Sequence, residues 1–171
     1  MKIQKLDISV SVLAGVACLF FFMPNPITVW AVFVGWAWYF SLGAEPKAFA
    51  KCIPVMVVAY ILASIAIVVV YMTAPNWVIP VAIAVAVTAF ILMMFLKIPA
   101  FGYSIVGFVS YAVMFGGYFG QGGFGFPFLA YPAPAVPIGN IAVIALWMMM
   151  SNLIGMGFGL LSVALANIGK K

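Results

Sequence analysis

The chain has no histidine and no arginine, and its only acids are Asp7 and Glu45. Each shortage excludes a class of function. With no histidine and with just two cysteines, Cys18 and Cys52, the chain offers no Ser-His-Asp triad and no metal-ligand cluster. With no arginine it lacks the usual bidentate reader of phosphates and base edges, so nucleic acid is not an expected partner. Intramembrane carboxylates or histidines commonly carry proton and ion coupling, and none of the apolar runs holds either. Asp7 stands at the mouth of the first run. Glu45 lies in a link with Lys47 and Lys51, where a solvated ion pair is its ordinary role. Gly122, Gly123 and Gly125 lack the lysine and the strand-to-helix setting of a phosphate loop. The expectation is no enzyme, no metal and no cofactor. The cysteines read as buried small hydrophobes rather than as a disulfide.

What the chain has in abundance is apolar surface. It is 68% hydrophobic and 5% charged, against about 25% charged residues in typical soluble domains. One soluble core of this size could not hide so much apolar surface, so an all-α integral membrane protein is expected. A crossing takes roughly 20 apolar residues. Turn residues divide the chain into six candidates, at 8–23, 27–42, 52–72, 77–96, 100–119 and 138–168, all within one transmembrane domain spanning 1–171. The last is long enough to overshoot the bilayer or to break at Gly155–Gly159. The N-terminal residues MKIQK before an apolar run resemble the start of a signal peptide, but an uncleaved first crossing is the expected reading.

The lysines test this count. Six crossings put Lys2, Lys5, Lys47, Lys51, Lys97, Lys170 and Lys171 on one side, and the opposite loops then carry no charge. The positive-inside rule makes that side the cytosol and puts both termini there. Trp30 and Trp77 fall near the outer ends of runs two and four, where interfacial aromatics belong.

The stretch GGYFGQGGFGFPFLAYPAPAVPIGN (116–140) is rich in glycine and proline yet holds no charge. Irregular backbone at membrane depth needs protein or trapped water around it, so 120–137 reads either as a re-entrant cap or as an interfacial hairpin. Gln121 is its one side-chain amide before Asn140. Candidates for lining a solute path are Gly116, Gly117, Gly120, Gln121, Ser104, Ser110, Asn140 and Asn152. The same polar residues can equally hydrogen-bond between helices. Ser151, Gly155 and Gly159 recur every four residues and form a small-residue ridge suited to close helix packing, within a protomer or between protomers.

Two stretches carry a family resemblance. VWAVFVGWAWYFSLGAEPKAFAKCIPVMVVAYILA (29–63) has a run ending in GWAWYF, a glycine turn and a slightly basic link into the next run, and IPAFGYSIVGFVSYAVMFGG (98–117) follows later. In these the chain resembles the small bacterial inner-membrane proteins of domain of unknown function family 1097. The resemblance implies a multi-pass protein of the bacterial inner membrane and carries over no catalytic residue.

The expected fold is a bundle of six transmembrane helices, homo-oligomeric or joined to other membrane subunits, with membrane lipid as its surroundings. The expected function is a passive channel or facilitator for a small uncharged solute. The alternative is a non-catalytic accessory subunit of a larger membrane complex. A wetted path through one protomer would favour the first, and a dry core the second.

Overall fold

The structure, a computed structural model, describes residues 3–22, 27–73, 78–119 and 138–169. Among them there are six α-helices and no strand: α1 (Lys5–Cys18), α2 (Val29–Ser41), α3 (Ala48–Thr73), α4 (Val78–Phe95), α5 (Ser104–Phe119) and α6 (Ile141–Ala166). Short 3-10 turns follow α1 at Leu19–Phe22, precede α5 at Pro99–Phe101 and lead into α6 at Ile138–Asn140.

Length separates the helices. At about 1.5 Å per residue, a hydrocarbon layer of about 30 Å takes some 20 residues. Helices α3, α4 and α6, with 26, 18 and 26 residues, are long and apolar enough to cross a membrane. Helices α2 and α5 are apolar but shorter.

The helix ends follow local chemistry. Gln4 caps α1, and the Asp7 side chain accepts the Gln4 backbone N–H at 2.8 Å, so this acid has a structural role at a helix N-terminus. The α2–α3 turn puts Gly43 and Ala44 at positive φ, 89° and 57°. Glycine adopts that conformation freely and alanine at a cost. The Tyr39 hydroxyl secures the turn by donating to the Ala44 carbonyl at 2.9 Å. Helix α3 starts at Ala48, earlier than the expected Cys52, and takes Lys51 into its first turns. Pro54 is accommodated inside it. Helix α5 starts at Ser104 rather than Ala100, because residues 99–101 form the 3-10 turn and Gly102–Tyr103 are not helical. Helix α6 is continuous through Gly155, Gly157 and Gly159, where the sequence allowed a break.

The chain forms two compact units. In residues 1–50 with 150–171, α1, α2 and the C-terminal part of α6 pack together around Val32, Trp36, Tyr39 and Met156, all buried. In residues 51–149, the core is built on Val55, Leu92, Val106 and Met114. Only Thr88 and Leu92 of α4 are buried among its described residues, while Ile79, Ile83, Val87 and Phe90 are exposed. Such an apolar face suits lipid rather than water.

Candidate functional site

The small-residue ridge of α6 meets α2. A β-carbon on Gly155 would fall on the Val32 carbonyl, and one on Gly159 would overlap the Tyr39 ring. From the other side, a β-carbon on Gly35 would fall on the Asn152 backbone. Both helices therefore have glycine where the facing backbone leaves no room for a β-carbon, the arrangement by which membrane helices gain van der Waals contact without help from lipid. Thr28, just before α2, donates its backbone N–H to Ser151 Oγ at 3.0 Å. One turn on, Asn152 Nδ2 donates to the Ala31 carbonyl at 2.8 Å in a fully buried position.

Polar contacts continue along this unit. Trp36 Nε1 donates to Ser162 Oγ at 3.2 Å, and Ser162 Oγ donates back into its own helix at Phe158 and Gly159. Ser9 of α1 donates to the Ser162 backbone carbonyl at 2.8 Å. Phe158 sits beside Trp36 at 5.5 Å between ring centroids and meets Phe20 edge-on at 6.1 Å. Buried polar groups satisfied in this way hold the helices in one register.

The second unit has its own contacts. Thr88 Oγ1 and the Tyr111 hydroxyl lie 2.7 Å apart and link α4 to α5, while Thr88 also bonds the Ala84 carbonyl at 2.7 Å. Gly107 makes room for the side chains of Leu96 and Val55, and Gly117 for Met148. Lys51 Nζ stands 5.8 Å from the Tyr103 ring centroid, within cation–π range. Ser110, at 0% exposure, keeps a hydroxyl with no hydrogen-bond partner among the described residues.

These positions divide the expected solute-path residues. Ser110 and Gly117 lie on one buried face of α5. Ser104, Gly116 and Asn140 are exposed. Asn152 belongs to the α2–α6 seam. Gly120 and Gln121 lie outside the described residues, as does the rest of 120–137. Ser151, Gly155 and Gly159 lie against Thr28, Val32 and Tyr39 of the α2 region of this chain. Sequence reading missed the other half of the seam, Ala31 and Gly35, although their four-residue spacing is the same signal that marked the α6 ridge. It also missed Ser9, Trp36 and Tyr111, whose importance depends on partners distant in sequence. No metal-holding group of three or more His, Cys, Asp or Glu occurs among the described residues, and both cysteines are free.

Comparison with curated proteins and with solved structures found no match. A family model described as protein of unknown function (DUF1097) matches residues 7–167, nearly the whole described helical region, and the chain belongs to that family.

Proposed function

We propose that the chain is a six-crossing membrane protein with both termini on the lysine-bearing side, acting as a non-catalytic subunit or scaffold of a membrane complex. The observation that supports this reading is the use of the buried polar groups. Ser9, Trp36, Asn152, Ser162, Thr88 and Tyr111 all bond to neighbouring helices. At Gly35 and Gly155 the facing backbone leaves no room for a β-carbon between α2 and α6. Polar groups bound to helices stabilise a dry interior and leave little lining for a solute. The partners expected on this reading are lipid, further copies of the chain or other membrane subunits.

A passive facilitator for a small uncharged solute is the second reading, and Ser110 favours it. A buried hydroxyl with no partner among the described residues is a group for water or a polar solute to satisfy. Stopped-flow swelling of liposomes carrying the purified protein separates the two. The subunit reading expects swelling in urea and glycerol no faster than in empty liposomes, together with a discrete complex after cross-linking in native membranes. Faster swelling that falls in Ser110→Val would overturn it in favour of the facilitator.

A further inference from the structure

The N-terminal end of α1 and the C-terminal end of α6 border an open hollow of about 420 Å³, lined by Gln4, Lys5, Leu6, Val163, Ala166 and Asn167. Its wall is divided by polarity: Leu6, Val163 and Ala166 are apolar, while Gln4, Lys5 and Asn167 carry polar heads. Lys5 Nζ donates to the Ile168 carbonyl at 3.0 Å, which holds the ammonium at the rim. An ammonium has three N–H donors, and this bond occupies one. The nearest acid in sequence, Asp7, has Oδ2 on the Gln4 backbone N–H. The other acid of the chain, Glu45, lies in the α2–α3 turn.

From this we infer that the hollow binds a phosphate-bearing anion at the membrane surface, with Lys5 as its charged contact. Fixed positive charge beside amides suits a phosphate, and the apolar wall suits the start of an acyl chain. The inference requires only that this end of the chain lie at a membrane surface, and holds whether the protein is a subunit or a facilitator. A lipid headgroup and free phosphate share the required chemistry.

Native mass spectrometry of the purified protein in mild detergent tests this, with phosphatidylglycerol and phosphatidylcholine of identical chains as probes. Phosphatidylglycerol should be retained preferentially, and about fivefold less by Lys5→Gln, since a lysine at an anionic surface contributes on that scale. The bond from Ser9 to the Ser162 carbonyl is untouched by this change and still joins α1 to α6. Lys5→Arg should keep the binding, and Lys97→Gln should not reduce it. A rise in thermal stability with inorganic phosphate alone, abolished by Lys5→Gln, would identify the free anion as the ligand and support the site. Equal retention of both lipids without a phosphate effect would overturn it, and so would equal losses in Lys5→Gln and Lys97→Gln.

Discussion

A β-carbon on Gly155 would occupy the place of the Val32 carbonyl oxygen. The obstacle is backbone, which cannot swing aside as a side chain does. Gly155→Ala should therefore destabilise the protein despite alanine's better helix propensity. Overpacking costs about 1–3 kcal/mol, against a propensity gain of about 0.5–1 kcal/mol. At Gly157, two residues on, a β-carbon would meet nothing within 4 Å. Gly157→Ala should leave stability unchanged or slightly raised. Thermal unfolding of both variants in mild detergent checks the contrast, and equal behaviour would mean that α2 does not pack on α6 this way.

Ser162 is the shared partner of α1 and α2. Replacing it with alanine removes the acceptor of the buried Trp36 N–H. A buried donor left unsatisfied costs about 1–3 kcal/mol. Ser9→Ala should cost less, because the carbonyl it bonds belongs to the α6 backbone and membrane hydrogen bonds average about 0.6 kcal/mol. Unfolding midpoints should rank the wild type first, Ser9→Ala next and Ser162→Ala last.

Ser110 and Tyr111 are adjacent in sequence but should respond oppositely. Ser110→Ala removes a buried hydroxyl with no partner among the described residues and should be neutral or stabilising. Tyr111→Phe breaks the 2.7 Å bond to Thr88 and should destabilise by about 0.5–1.5 kcal/mol. A double-mutant cycle with Thr88→Val should show a coupling that Ser110→Ala does not share. Destabilisation by Ser110→Ala would mean that a bound water or solute satisfies that hydroxyl.

Six crossings place all seven lysines on one side of the membrane. A membrane-impermeant amine reagent applied from the opposite side should label none of them. Modification of Lys47, Lys51 or Lys97 from that side, read by peptide mass mapping, would rule out the proposed topology.

Much of the helical layout was legible in the sequence. The turn residues Gly43 to Lys47 end one apolar run and open the next, and α2 and α3 flank them. Helix boundaries were less legible. Residue 100 is as apolar as its neighbours, yet Pro99 begins a 3-10 turn and α5 starts at Ser104. The packing role of Gly155 and Gly159 could be read from spacing alone. That Asn152 would donate to Ala31 could not, because this depends on which carbonyl comes within reach across 121 residues of chain.

Composition by itself determined that long helices such as α3, α4 and α6 would be apolar enough for a bilayer. Too few charges are available to cover a soluble surface of this size, whatever the fold. The spacing of small residues determined that α6 would carry a face for close packing. Only the tertiary structure decided what that face meets. A four-residue repeat specifies a stripe on one helix, while the partner, register and approach distance depend on complementary gaps in another. Gly35 on α2 supplies such a gap opposite Asn152. Tertiary packing likewise distinguished Ser162, bonded to Trp36, from Ser110, left without a partner among the described residues. A serine in an apolar run has the same chemistry at either position, and the groups around its hydroxyl determine whether burial is compensated.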